Sequence, residues 1–202
     1  MNKEFEKGLL FAGLGSFFWG FFGVLYFKYI SHIGHIELVI HRCLWTTFTL
    51  IITTSFFSKW KIFFEVINNK KNLIFLFFSG ILIFINWAVW IYAIAIDKII
   101  DASFGYFIMP ILSVLLGYIF FKEKLNKKRI FSIILVIISI LYLIIVSFKS
   151  LPWVGLIVAL SWAFYNPIRK KINIDTDIGL LIESLYILPF ALIAFYLITI
   201  NN

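Results

Sequence analysis

Cysteine, charge and catalytic spacings are what this sequence has least of. Its one cysteine, Cys43, excludes an internal disulfide and offers no metal-site spacing. Only 14% of the 202 residues are charged, where a soluble domain of this size would carry about a quarter. No HExxH, no GxSxG and no Cys–His spacing occurs, so neither metal-assisted nor nucleophilic catalysis is indicated. His32 and His35 share a loop with only Glu37 near them, too few donors to hold a metal. No catalytic residue, metal site or cofactor is therefore expected, and the chain does not read as an enzyme. No A-x-A-like cleavage site follows the first apolar run, which is too long and too rich in Trp and Gly for a signal peptide. It reads as a retained helix.

What is present is apolar residue in long runs. Hydrophobic residues make up 62% of the chain, and runs of about 18 or more are the signature of membrane-spanning helices. Seven spans are predicted, at 8–27, 36–57, 72–95, 102–121, 130–147, 151–168 and 178–199. The fold class is thus an all-α integral membrane protein, a multi-pass helical bundle whose first partner is the lipid bilayer. The net charge of +8 does not indicate nucleic acid, because the basic residues lie between apolar spans and not on one soluble face. With the N-terminus inside, the inner segments hold fourteen Lys and Arg and the outer ones three, Lys28, Lys98 and Lys149, with Arg42 inside a span. That asymmetry orients the chain with a cytoplasmic N-terminus. The outer connections, 28–35, 96–101 and 148–150, are short, so the helices they join are antiparallel neighbours and function has to lie between helices.

The stretch 101–125 runs from Asp101 to the cluster Lys122, Glu123 and Lys124. It carries Gly105, Tyr106, Pro110, Ser113 and Gly117, and reads as a spanning helix built for close approach and bending. Ala12, Ser16 and Gly20 form a small-residue stripe on the first span, expected to pack closely. Span 5 presents its face to lipid or to a second copy in a homodimer. A weak repeat relates Trp19-Gly20-Phe21 with Lys28 to Trp162-Ala163-Phe164 with Lys171. Five spans per repeat would invert the second, a transporter design with its site near the midplane.

Candidate site residues follow from polar groups placed in apolar spans. Arg42 either binds an anionic group in a cavity, with His41 as proton or hydrogen-bond partner, or snorkels to the headgroups. Glu183 either pairs with Arg42 or His41, or carries a coupling proton, or is satisfied by Tyr186 or Ser184. Asn86 and Trp90 share a helix face, where Asn86 serves a site or glues helices together. Trp19, Trp162 and Tyr165 line a cavity or belong to an interfacial belt. With Tyr106, the substrate-binding candidates are His41, Arg42, Asn86, Trp90, Tyr106, Glu183, Trp19 and Tyr165.

These segments together resemble the EamA family of the drug/metabolite transporter superfamily, and within it the RarD branch. The resemblance rests on GLLFAGLGSFFWGFFGVLYFKYI, on ELVIHRCLW at 37–45, NWAVWIYAI at 86–94, DASFGYFIMPILSVLLGYIFFKEKL, FYNPIRKKI at 164–172 and GLLIESLYILP at 179–189. It implies ten helices in two inverted five-helix repeats around a central cavity, in the inner membrane of a bacterium. It implies a secondary-active permease for small organic metabolites or drugs, which Arg42 would suit to a substrate with an anionic group. Residues 1–148 would form the first repeat and 149–202 the first two helices of the second, about seven helices of an expected ten. The departure leaves a second expectation open, a truncated, non-transporting membrane protein or an assembly partner.

Overall fold

The computed structural model describes residues 3–122, 124–148 and 152–201. Glu123 of the stretch 101–125, Lys149 and Ser150 of the outer connection, Leu151 of the sixth expected span and Asn202 lie outside the described residues. Nine α-helices occur among the described residues: α1 (Lys3–Phe18), α2 (Val24–Tyr29), α3 (His35–Phe56), α4 (Trp60–Ile67), α5 (Lys70–Ala95), α6 (Ile99–Phe121), α7 (Lys127–Leu143), α8 (Trp153–Ile172) and α9 (Thr176–Asn201). A π-helical turn, Trp19–Gly23, joins α1 to α2 in one continuous rod. The expected spans fall on α1–α2, α3, α5, α6, α7, α8 and α9. Six of the helical stretches are long and apolar enough to cross a membrane; α8 is not among them, since its last turn carries Arg169, Lys170 and Lys171.

Turn chemistry sets the ends. Gly34, at φ 99°, precedes α3 in a conformation that favours glycine. The Asn69 side chain accepts from the Lys71 and Asn72 amides to cap α5, and Asn126 caps α7 through the Arg129 amide. Asn173 ends α8 in the left-handed region. The short α4 was not among the expected elements. It is amphipathic, with Phe63 and Val66 three apart and buried against Leu76, Ile178 and Leu181, and Lys61 and Glu65 exposed.

Five helices make the packed body. In order of contact they run α3, α9, α5, α8 and α6, so the last two helices of the chain lie between earlier ones. At 26 residues α5 is about 39 Å long, and it touches every other member of this body. At one end Lys59, after α3, pairs with Asp175 at 3.2 Å and Asp177 at 2.7 Å, before α9 and in its first turn. At the other end Lys28 pairs with Asp97, between α5 and α6. The Lys59 ammonium is held above the usual lysine range, first by its hydrogen bond to Asp177 and then by that to Asp175. The lysine's contribution is therefore fully present below the ordinary lysine value and is lost as pH rises through the raised one, while acid breaks the pair from the other side by protonating the aspartates.

Close approach occurs where α6 meets α8. A Cβ added to Gly105 would strike the carbonyl oxygen of Gly155, and one added to Gly155 would strike that of Asp101. The stripe Ala12, Ser16 and Gly20 behaves otherwise. All three residues are exposed, and a Cβ on Gly20 would meet nothing within 4 Å. Small residues permit contact between helices but do not supply the neighbour.

Overpacking costs typically 1–3 kcal/mol, so Gly105→Ala or Gly155→Ala should lower the stability of the detergent-solubilised protein by about that amount. Gly13→Ala should stay within about 0.5 kcal/mol of the parent. Unfolding followed by circular dichroism checks both.

Candidate functional site

The rod of α1–α2 and helices α3, α5, α6, α8 and α9 border an open cavity of about 600 Å³. It reaches from Trp90, about 7.5 Å from the Lys28 end of α5, to the exposed residues Asn166 and Thr176 at the Lys59 end. Six of the eight expected site residues line it: Trp19, Arg42, Asn86, Trp90, Tyr106 and Tyr165. Trp87, Trp162, Asn166, Arg169 and Thr176 line it too.

The π-helical turn helps to place Trp19. Its indole lies over Gly23, where an added Cβ would sit 3.2 Å from the ring, and stacks near Trp90 at 5.1 Å between centroids. Phe27 packs edge-on against Trp90 at 5.4 Å. These rings wall in the Arg42 guanidinium, which lies 4.5 Å from the Trp87 ring centre, 5.1 Å from Trp19 and 5.6 Å from Phe27. Cation–π contact holds the charge without neutralising it. Arg42 makes no hydrogen bond or ion pair with any described residue, so its N–H donors are free for a ligand. The Tyr106 phenol lies among Arg42, Trp19 and Trp162.

Asn86 faces the cavity and also bonds helix to helix. It lines the cavity, and its amide donates to the Val158 carbonyl at 3.3 Å and the Ser161 hydroxyl at 3.0 Å, tying α5 to α8. His41 is turned away. It lies 3.7 Å from Glu37 one turn back, packs its ring against Phe195, and lines a separate groove that Arg42 also borders.

Glu183 lies behind the cavity wall and is 0% exposed. Its partners are neither Arg42 and His41 nor Tyr186 and Ser184. One carboxylate oxygen accepts from Ser79 on α5 at 2.5 Å; the other accepts from Tyr165 on α8 at 3.1 Å. Arg169, also on α8, brings its Nη1 to 3.6 Å, an ion pair without a hydrogen bond. Tyr186 donates instead to the Leu73 carbonyl, and Ser184 to that of Leu181.

Arg169 was missed by sequence reasoning for a definite reason. Span 6 was expected to end at 168, which leaves Arg169 among the basic residues of a connecting loop. The helix runs one turn further, to Ile172. That turn puts Arg169 four residues after Tyr165, on the same face, and this spacing was the available signal. Ser79 and Trp87 gave none beyond residue type. Gly179 completes the arrangement: a Cβ there would fall on the Arg169 guanidinium, which crosses the bare backbone to reach Glu183 and the carbonyls of Asp175 and Thr176.

Removing one partner of a buried ion pair leaves an uncompensated charge, at about 3–5 kcal/mol. Arg169→Met should therefore destabilise the protein by about 3 kcal/mol. Gly179→Ala should cost a similar amount by displacing the guanidinium, and the double variant should fall well short of the sum. Denaturant unfolding of the four proteins checks the cycle.

Comparison with known proteins gives a consistent assignment. Residues 6–145 match the EamA-like transporter family. The chain is 36% identical over 196 residues to the uncharacterized transporter YojE of Bacillus subtilis, covering 95% of this chain and 64% of that protein. It is 34% identical over 200 residues to the protein RarD of Escherichia coli, covering 99% of this chain and 66% of that protein. An uncharacterized transporter of Vibrio cholerae is 34% identical over 197 residues, covering 98% and 64%. The chain thus spans about two thirds of the length of these relatives. No solved structure matches. An apolar bundle of membrane-length helices around a half-aromatic cavity, matched along most of its length to these proteins, belongs to the EamA-like transporter family and is a RarD-like member of it.

Proposed function

We propose that this protein is a secondary-active permease for small organic molecules carrying an anionic group, and that the cavity between α3, α5, α6 and α8 is its substrate site. One observation carries the reading. Arg42 stands at membrane depth with a full charge, walled by Trp19, Phe27 and Trp87 and bonded to no carboxylate. A bare arginine in a spanning segment costs on the order of 2.5–3.5 kcal/mol on insertion scales, a cost offset when an anion occupies the site. The aromatic lining favours a substrate that also has an apolar or planar part. His41 lies outside this group, and Glu183 acts from behind it.

The larger arrangement belongs to the same proposal. Residues 1–148 are read as a five-helix repeat and 149–202 as the opening of an inverted second one, seven spans of a ten-helix design. Trp19 and Trp162, equivalent in the repeat, both line the cavity, which supports that reading. The Lys59 end, with most of the Lys and Arg, is assigned to the cytoplasm, and the membrane to the bacterial inner membrane. The driving force is an ion gradient or exchange, with no cofactor or nucleic acid involved.

Arg42→Leu should leave membrane insertion intact and reduce accumulation of organic anions at least tenfold. Proteoliposomes offered a metabolite mixture, with and without a proton gradient and read by mass spectrometry, supply the measurement. Uptake at the parent level would refute the assignment.

A further inference from the structure

Two arginines line this cavity, and they are not in the same state. Arg42 has no anionic partner. Arg169 is 11% exposed and lies against Glu183, yet its Nη1 is buried without a hydrogen bond. The reason is geometric. Ser79 and Tyr165 already serve the two oxygens of Glu183, and 3.6 Å is too long for a third bond. Glu183 thus neutralises Arg169 by proximity while leaving a donor on it unused.

The same knot tolerates a second state. Ser79 and Tyr165 bear hydroxyls, and a hydroxyl both donates and accepts. If Glu183 takes up a proton on the oxygen facing Ser79, the Ser79 oxygen can accept it while the Ser79 hydroxyl donates to the Leu76 carbonyl at 3.2 Å, and Tyr165 keeps its donor bond to the other oxygen. Arg169 alone would change circumstance, from a neutralised cation to a free one. It would then border the cavity near exposed Asn166 and Thr176, where a ligand can reach it.

We propose that Arg169 is a second anion-binding residue of the cavity, held by Glu183 and released to a carboxylate ligand when Glu183 is protonated. The exchange balances. The Arg169–Glu183 ion pair is replaced by an Arg169–ligand ion pair, and the proton resides on a Glu183 oxygen. One proton therefore accompanies each carboxylate that engages Arg169. Arg42 lies beside Trp87 and Glu183 beside Ser79, eight positions apart on α5, so the two stations are about 12 Å apart in depth. An anion entering at the Lys59 end meets Arg169 first and Arg42 second.

Other groups facing Glu183 leave it the titrating member. From α5 come Ser79 and the Gly80 backbone, and from α8 Tyr165 and Arg169. On α9 itself, Ser184 and Tyr186 bond to backbone carbonyls. From α3, Arg42 lies about 12 Å away in depth, Cys43 borders a crevice beside Gly80, and His41 packs on Phe195, three turns along α9. No second carboxylate is hydrogen-bonded or ion-paired to this cluster among the described residues.

This inference rests on the cavity being the anion site, and the test separates the two. Radiolabelled benzoate, ionised throughout pH 5.5 to 8, is bound to the purified full chain in nanodiscs. The parent should bind benzoate about tenfold or more tighter at pH 5.5 than at pH 8, the worth of a charge-assisted hydrogen bond. Glu183→Gln should bind at pH 8 as the parent does at pH 5.5, and its affinity should not vary with pH. Arg169→Gln should also show an affinity ratio near one between the two pH values. A parent ratio near one, or a full ratio retained in Arg169→Gln, overturns the proposal. Should Glu183→Gln fail to give a monodisperse protein, the parent and Arg169→Gln profiles decide alone. Arg42→Gln reports on the cavity reading by itself: benzoate affinity equal to the parent's at both pH values refutes that reading, whatever the pH ratio.

Discussion

A carboxylate with no access to solvent has to be answered by the protein alone, and the answer given to Glu183 joins the packed body of this molecule. Ser79 reaches it from α5, Tyr165 and Arg169 from α8, and the carboxylate itself stands on α9. Three helices are thereby fixed in rotation and in height relative to one another. In a medium without water each polar group needs such a partner. The local choices around the knot serve it: a glycine at 179 where the arginine crosses, and an extra turn of α8 that carries the arginine there.

The cavity in front of that knot has the opposite character. Aromatic rings surround Arg42 on several sides, and rings hold a cation without cancelling its charge. One guanidinium is thus met by rings alone while the other is matched by a buried acid. Asn86 takes part in both layers, since the amide that borders the cavity also bonds α5 to α8. Cavity lining and helix packing share residues here, so the shape of the cavity is coupled to the way α5 and α8 are held.

Outside this body the structure is looser in its contacts. The α1 segment and α7 carry apolar side chains outward along their length, as helices facing hydrocarbon do, while the α6–α8 contact brings backbone against backbone at Gly105 and Gly155. Ion pairs then mark the two ends, Lys59 with Asp175 and Asp177, and Lys28 with Asp97. Each joins segments that are distant in the chain.

Much of this was readable from local pattern. Apolar runs flanked by lysine specify membrane-length helices and their order, because hydrophobic length and flanking charge are properties of contiguous residues. The polar exceptions in those runs, Arg42, Asn86, Tyr106 and Glu183, were visible as candidates for the same reason. Sequence reasoning also named a family, on motifs spread over most of the chain. The amphipathic α4 escaped it because eight residues give too little periodicity to distinguish. Partnership was not readable at all. Ser79 and Glu183 are 104 positions apart, and nothing local announces their meeting. Nor does sequence show that His41 turns from the residue beside it, that the small-residue stripe of the first span stays exposed among the described residues, or that α8 continues far enough to bring Arg169 to a buried acid. The sequence by itself determined which segments form long apolar helices and which polar residues go with them. The tertiary structure alone decided which of those residues meet, because rotation and height of one helix against another are set by packing across the whole bundle.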